Sequence, residues 1–272
     1  MQGEIPMNHT MDHAWRYRSG LQIARFACCT IAFLTVLLSV AHGQPKPAFD
    51  AQTLLEEIDR AQRYASISYE GTMEIVQGNR ILIKQFTARA RGSNLVFLEF
   101  TNPEDRGVRM LRIEQTIWMY FPSEGETVRI SGSMMRQGLM GSNLSYEEVA
   151  EGGSLRESYA PAVLGEETVD GRRCILLSLT SNRKDISFPI RKLWVDAERK
   201  VPLKIELYAR SGSLMKTIMV RTLESIDGRI LPTRIEILDA LKKNSRTVFS
   251  MRSVKLDIAL PDSLFTMEAL TR

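Results

Sequence analysis

The chain has 272 residues, of which 44% are hydrophobic and 25% charged, and its formal net charge is +4 at neutral pH. This composition is typical of a folded globular protein and excludes a largely disordered chain. The charge is only mildly basic and Lys and Arg form no run, so a nucleic-acid-binding surface is not indicated.

The first 43 residues have the pattern of a secretory signal peptide. Three arginines precede an uncharged apolar run over residues 26–41, and the run ends in small residues at Ala41 and Gly43. This pattern predicts export and cleavage before Gln44. The alternative is an uncleaved N-terminal membrane anchor, because the run approaches the length that spans a bilayer.

Cleavage would leave a chain without histidine and with one cysteine, Cys174, because the other cysteines and every histidine lie in the removed segment. A chain without histidine cannot build a Ser-His-Asp site or a common zinc site. The sequence therefore predicts no enzyme, no cofactor and no metal, and a single cysteine leaves no internal disulfide.

A linker over 44–49 precedes a single domain predicted over 50–272. Its first element is a helix, because Leu54 and Ile58 recur at helical spacing after a capping residue, Asp50. No other segment has so clear a helical period.

Nearly everything after this helix has the pattern of strands and turns. Leu203, Ile205 and Leu207 alternate with charged residues, as in a half-buried strand. Two Asp-Gly pairs, at 170–171 and 227–228, predict tight hairpin turns. Strands are predicted over 66–77, 80–91, 94–101, 107–115, 116–122, 127–131, 162–169, 173–181, 189–196, 201–209, 214–226, 231–238 and 244–257.

These elements predict a mainly β fold, with one strongly curved antiparallel sheet or incomplete barrel wrapped over the helix. Several strands are apolar on both faces, including "SNLVFLEF", which contains Phe97, and "TIWMYF", which contains Trp118 and Tyr120. A sheet with one face in water should alternate. Either protein covers both faces, or one face lines an apolar cavity.

A Gly- and Ser-rich stretch over 129–149 carries four soft apolar residues, Met134, Met135, Leu139 and Met140. Methionine suits surfaces that accommodate apolar groups of variable shape, so the stretch could form a lid. The alternative is that these residues fill one end of the barrel as core.

One string matches a catalytic motif, the S-x-x-K formed by Ser213 and Lys216. It lies between two predicted strands and lacks the companion motifs of penicillin-recognising enzymes. We therefore interpret it as a β-turn with exposed polar residues.

Several strings together resemble the outer-membrane lipoprotein-sorting protein family, the LolA-like proteins, in the branch associated with lipid-exporting permeases. They are "GLMGSNLSYEEV", "RKLWVDAERKVPLKIELYARSGSLMKT", "IDGRILPTRIEI" and "LPDSLFTMEAL", and the similarity extends from about Thr53 to Leu270. The resemblance implies a half-open β-barrel with short lid helices that cover an apolar cavity for acyl chains. The arginine that lies in the cavity of the family's archetype matches no single residue here.

The sequence and the resemblance together predict a periplasmic carrier or chaperone that moves the acyl chains of lipoproteins or lipids. The expected partners are the acylated cargo and an inner-membrane permease, and the chain is expected to be a monomer. Alternatives are an envelope-stress sensor of the same fold, a lipid hydrolase and a structural envelope protein. Residues 133–141 are predicted to gate the cavity, and its predicted lining is Phe97, Trp118, Tyr120 and Trp194.

Overall fold

The computed structural model describes residues 49–151 and 154–272. The predicted signal peptide over 1–43 lies outside these residues, as does the predicted linker apart from Phe49. Among the described residues, no helix combines the length and the apolar character needed to cross a membrane.

One sheet of thirteen strands, all paired antiparallel, forms the body of the protein, and its two edge strands do not pair with each other. The predicted fold class, a mainly β protein with a single half-open sheet and few helices, is confirmed. The strands are β1 Ser66–Gln77, β2 Arg80–Arg91, β3 Leu95–Phe100, β4 Arg109–Ile113, β5 Thr116–Phe121, β6 Glu126–Ile130, β7 Ala160–Val169, β8 Arg172–Thr180, β9 Ile190–Asp196, β10 Pro202–Tyr208, β11 Leu214–Ile226, β12 Arg229–Asp239 and β13 Ser245–Leu256.

The strands were predicted closely because the alternation of apolar and polar residues and the turn residues indicate the same strand boundaries. Each predicted strand overlaps an observed one and differs from it by at most two residues at either end. Both Asp-Gly hairpins form with positive φ at their two central residues, 48° and 76° at Asp170 and Gly171, and 49° and 76° at Asp227 and Gly228. These dihedral angles match a turn that continues the twist of the flanking strands.

In the residues that the structure describes, four short or medium α-helices accompany the sheet: α1 Ala51–Ala61, α2 Tyr146–Ala150, α3 Leu155–Ser158 and α4 Met267–Thr271. The predicted N-cap of α1 is confirmed, because the Asp50 carboxylate accepts a hydrogen bond from the Thr53 amide at 2.7 Å. One face of α1 is buried on β8 and β9, where Leu55 and Ile58 are fully covered. The sheet therefore wraps over this helix, as predicted.

The chain order explains why a single segment crosses the open side. Strands β1 to β6 step outward to one edge, and β7 to β13 step back from the other edge until β13 pairs with β1. The connection from β6 to β7 must therefore pass from edge to edge. We call residues 131–151 and 154–159, which include α2 and α3, the crossing segment.

The opposite side of β3, β4 and β5 is covered by the C-terminal segment, which consists of a 3-10 helix over Asp262–Phe265 followed by α4. Phe265 and Leu270 are buried in this contact. At the surface of this contact, the Arg91 guanidinium of β2 binds the exposed Asp262 carboxylate at 2.5 Å. Protein thus covers both faces of this part of the sheet.

Candidate functional site

A nearly continuous apolar row crosses the inner face of the sheet. Ile205 lies opposite Ile218, and Ile218 lies opposite Ile237. Residues directly opposite in an antiparallel ladder project to the same face, so their side chains form one row. The row, with one residue from each of seven adjacent strands, consists of Leu193, Ile205, Ile218, Ile237, Thr247, Ile75 and Leu82.

The one polar member of this row, Thr247, anchors the crossing segment. Its hydroxyl accepts a hydrogen bond from the Asn143 amide at 2.8 Å. The Asn143 side chain donates to the Ile237 carbonyl at 3.2 Å and accepts from the Ser245 hydroxyl at 2.9 Å. Only 2% of Asn143 is exposed, so these bonds replace those it would make with water.

A buried ion pair completes this attachment. The Lys216 ammonium donates to the Asn143 carbonyl at 2.7 Å and contacts the Glu148 carboxylate. Glu148 also accepts a hydrogen bond from the Ser145 amide, and its own amide donates to the Ser145 hydroxyl at 3.2 Å; these two bonds form the capping box of α2. We call Asn143, Glu148, Lys216 and Thr247 the polar tether.

The prediction that the S-x-x-K string forms an exposed turn is correct for Ser213 and wrong for Lys216. Ser213 lies in an exposed turn, but Lys216 lies inside β11 and is 8% exposed. Its side chain points to the inner face because Lys216 lies two residues before Ile218 in β11, and side chains two residues apart in a strand project to the same face. The interpretation of Lys216 as an exposed turn residue was therefore wrong.

The four predicted lid residues come together over the inner face of strands β1 to β6. Leu139 is buried, and Met134, Met135 and Met140 are half-buried against the same apolar cluster. We call Gly132–Arg136 and Leu139–Gly141, the two 3-10 helices that carry them, the lid. Whether the lid opens stays a prediction.

Gly138, between the two helices of the lid, allows two backbone segments to approach each other closely. A Cβ on Gly138 would lie 1.9 Å from the Ser142 carbonyl oxygen, so no other residue fits there without a shift. Around it the chain closes on itself, since the Leu139 amide donates to the Leu144 carbonyl at 2.7 Å. The lid is thus attached to a compact loop.

Two adjoining cavities lie beneath and beside α2 and α3. We call the cavity that is lined by Ile205 and Ile218 of the inner face the inner cavity, and its volume is about 210 Å³. The other, which we call the outer cavity, is lined by Ser93 and Asn94 among others and has a volume of about 470 Å³. Both are bordered by Glu151, Ser154 and Ser158, and Met135 borders the outer one. The apolar lining of the inner cavity consists of Leu144, Leu155, Tyr159, Phe188, Ile205, Leu207 and Ile218.

Arg191 supplies a positive charge to the lining of the inner cavity. Its guanidinium binds the Glu151 carboxylate at 2.7 Å and lies 4.7 Å from the centre of the Tyr159 ring. The buried Nε of Arg191 has no hydrogen-bond partner among the described residues. Burial raises the pKa of Tyr159 to about 12, although the nearby Arg191 charge lowers it.

The structure does not bring the predicted aromatic lining residues together with the lid. Phe97, Trp118 and Tyr120 pack with the C-terminal segment on the outer face, and Trp194 belongs to a separate cluster. Alternation separates the two faces of a strand but cannot tell which face is concave when both are covered. Their contact with a ligand stays a prediction, and their position does not support it.

The "KLWVD" string has a structural role at Trp194 and Asp196. The Trp194 indole donates to the Glu167 carboxylate at 2.6 Å, and the Lys204 ammonium lies 4.0 Å from its ring centre. Asp196 accepts hydrogen bonds from the next turn and binds Arg172 at 3.0 Å. Burial alone would raise the pKa of Asp196, but these bonds outweigh it and hold that pKa below its usual value.

Cys174 has the surroundings of a structural thiol. It is fully buried, and burial raises the pKa of its thiol. Within residues 49–151 and 154–272, no group of three or more His, Cys, Asp or Glu side chains is placed to hold a metal ion.

Comparison with solved structures identifies similar proteins over most of the chain. A DUF1329 family protein from Desulfovibrio piger is 25% identical with a TM-score of 0.75, and the match covers 80% of this chain and 97% of that one. A LolA superfamily protein from Nitrosomonas europaea is 26% identical with a TM-score of 0.68, covering 82% and 100%. A putative outer-membrane lipoprotein-sorting protein domain from Vibrio parahaemolyticus, 17% identical with a TM-score of 0.73, covers 82% and 98% and shares the fold.

A search of curated proteins found no match. A family model described as "Uncharacterized protein" matches residues 92–272, which is more than half of the chain and contains the crossing segment and the polar tether. The chain therefore belongs to the family of this model, and its half-open sheet together with the similar structures confirms the predicted resemblance to LolA-like proteins.

Proposed function

We propose that this protein is a non-enzymatic carrier that binds acyl chains of a lipid or lipoprotein on the inner face of its sheet. The observation that carries the proposal is the inner cavity, in which the paired residues Ile205 and Ile218 lie beneath the crossing segment. Seven of its twelve lining residues are apolar or aromatic, and a predominantly apolar lining is typical of sites for small apolar ligands. The resemblance to LolA-like proteins supports the same conclusion.

Binding an acyl chain would require the crossing segment to move. Small-molecule sites usually occupy about 300–1,000 Å³, and the inner cavity of about 210 Å³ is smaller than this. Each buried CH₂ gains about 0.8 kcal/mol, so a chain of about fourteen carbons gains on the order of 11 kcal/mol before any cost. This gain is large enough to displace half-buried methionines of the lid.

Arg191 is the residue we propose for the polar end of the cargo. Its Nε is buried at the inner cavity without a partner and could donate to a carbonyl, carboxylate or phosphate oxygen. The ion pair with Glu151 would keep the charge compensated when the cavity is empty. A largely apolar cavity with a cation in its lining suits an amphiphile.

We further propose that the carrier acts as a monomer in the periplasm and exchanges cargo with an inner-membrane permease. The proposed localisation is supported by the signal-peptide pattern over residues 1–43 and by the resemblance of the chain to lipoprotein-sorting proteins. The permease rests on the resemblance alone, and co-purification with a membrane extract would test it.

The decisive experiment measures binding of a fluorescent fatty-acyl probe to the delipidated protein. We expect saturable binding that unlabelled fatty acid displaces. Ile218→Trp should weaken binding about tenfold or more, because the larger indole side chain would occupy part of the inner cavity that the acyl chain needs.

Leu164→Trp is the matched control, because Leu164 is 54% exposed on edge strand β7 and is not among the lining residues of the inner cavity. This variant should bind the probe as the parent does. Circular dichroism of both variants checks that the sheet is intact. Absence of displaceable binding, or equal binding by the two tryptophan variants, would disprove a site in this cavity.

A further inference from the structure

Two neighbouring hairpin tips expose large aliphatic side chains to solvent. Leu241, in the turn between β12 and β13, is 70% exposed, and Ile81 and Ile83, at the start of β2, are 60% and 55% exposed. The tips lie side by side, since the Gly78 amide donates to the Asn244 carbonyl at 2.9 Å. Grouped exposed aliphatics mark an interaction surface more often than isolated ones do.

The sheet register places further residues beside these tips on the outer face. Ile81 lies opposite Val76, and Val76 lies opposite Arg246. Arg246 in turn lies opposite Leu238, which is 37% exposed. Directly opposite residues share a face, so an exposed apolar row with one arginine runs across four strands next to the tips.

The tips themselves are basic. Arg80, Lys242 and Lys243 are exposed, and Lys242 binds Asp239 at 3.3 Å. In the part of the chain that the structure describes, Arg80 and Lys243 form no ion pair. Two acids lie close by: Glu104 borders a shallow groove with Ile81 and Ile83, and Glu74, which binds Arg246, lies opposite Ile83 in the sheet.

Convex tips with exposed aliphatics and unpaired basic residues match the chemistry of an anionic bilayer surface, where apolar groups enter the interface and cations meet lipid phosphates. We propose that Arg80, Ile81, Ile83, Leu241 and Lys243 form a docking rim by which the protein binds an anionic lipid bilayer.

The docking rim lies close to the lid in the folded chain. Gln77, the last residue of β1 before the tip, donates a side-chain hydrogen bond to the Gly141 carbonyl at 2.9 Å. Gly141 ends the lid and Gln77 precedes the tip, so this exposed hydrogen bond places the docking rim beside one end of the lid. Docking would therefore bring the bilayer close to that end of the lid.

The proposal goes beyond acyl binding and can be tested without cargo. The mature, delipidated chain is sedimented with phosphatidylcholine vesicles and with vesicles that also contain phosphatidylglycerol. We expect binding to the anionic vesicles, and weaker binding as salt is added. Leu241→Ser should weaken it about tenfold and Lys243→Gln about fivefold, whereas Glu104→Gln should strengthen it.

The chain offers matched controls away from the docking rim. Leu164→Ser removes a comparably exposed leucine from β7, and Lys255→Gln removes an exposed lysine near the far end of β13. Both should bind as the parent does. Binding no stronger to anionic than to neutral vesicles, or equal loss in Leu241→Ser and Leu164→Ser, would overturn the proposal. Binding only to native membranes, abolished by protease treatment of those membranes, would assign the rim to a protein partner and also overturn it.

Discussion

The Lys216 ammonium on β11 contacts the Glu148 carboxylate of α2, so a buried ion pair joins the inner face of the sheet to the segment that crosses it. The two side chains are 10% and 9% exposed. Because Asn143 binds β12 and β13 nearby, the crossing segment is held at its middle while the lid lies to one side.

Lys216→Met should lower the free energy of unfolding by about 3 kcal/mol, because it leaves the Glu148 carboxylate buried and unpaired. The double variant Lys216→Met with Glu148→Gln should recover part of that loss, since glutamine keeps an oxygen for the capping box without a charge. Urea unfolding followed by circular dichroism measures both.

A pair on the surface provides the control for this experiment. Arg252 and Glu70 are bound at 2.8 Å with side chains 74% and 47% exposed, so Arg252→Gln should cost less than about 1 kcal/mol. Equal losses for Lys216→Met and Arg252→Gln would show that the polar tether does not stabilise the fold.

The lid methionines provide a second prediction. Met135→Ser with Met140→Ser should remove apolar packing from the lid and weaken acyl-probe binding about tenfold. Amide hydrogen exchange over residues 132–141 should become faster, while exchange at the tethered Asn143 stays slow. Met267→Ser, at a methionine 42% exposed in α4, is the control. A lid that exchanges no faster than in the parent would favour a static plug.

The carboxylate of Asp196 predicts a pH dependence. Its pKa is lower in the folded chain than the value of about 3.9 in an unfolded one, so ionised Asp196 stabilises the fold above that pH. The stabilisation is lost as the pH falls through the folded pKa. At pH 7, Asp196→Asn should cost about 2 kcal/mol, because it removes the hydrogen bonds to a charged oxygen.

The difference between the parent and Asp196→Asn should therefore shrink when urea unfolding is repeated below about pH 4. Asp262→Asn, whose carboxylate is 89% exposed, serves as the control with little change at any pH. A difference that stays constant from pH 7 to pH 3 would contradict the stabilising role of the ionised carboxylate.

The face of the sheet that binds cargo can be read from tryptophan fluorescence. A brominated acyl chain in the inner cavity should leave the emission of Trp118 and Trp194 largely unchanged, because both lie in clusters separate from the inner face. A tryptophan introduced by Phe188→Trp, in the cavity lining, should be strongly quenched. Quenching of Trp118 alone would instead support the aromatic lining predicted from the sequence.

Comparison of the predicted and observed elements shows how far local sequence patterns determine this fold. Alternation at Leu203, Ile205 and Leu207 and the Asp-Gly turns define strands and hairpins, because those properties depend on neighbours in the chain. The antiparallel sheet follows from them. Which face is concave depends instead on how thirteen strands curl, and nothing local to Phe97 encodes that.

The polar tether was missed for a related reason. Asn143 and Thr247 are 104 residues apart, and neither looks unusual in its own segment. Lys216 was interpreted as an exposed turn residue together with Ser213, although it lies within the strand predicted over 214–226, which the structure confirms. Inward-facing polar residues in an otherwise apolar row are the signal that would have found the tether once strand register was known.

The central pairing of β1 with β13 also has a consequence for how the chain folds. Each half of the sheet, β1 to β6 and β7 to β13, consists of hairpins between consecutive strands and can form from local contacts. The seam between β1 and β13 instead joins residues such as Gly71 and Met251, which are far apart in sequence. Contacts of this separation form slowly, so β1 keeps an open edge until the last strand is made. Folding of this protein therefore ends at the middle of its sheet, beside the Thr247 anchor, rather than at an edge.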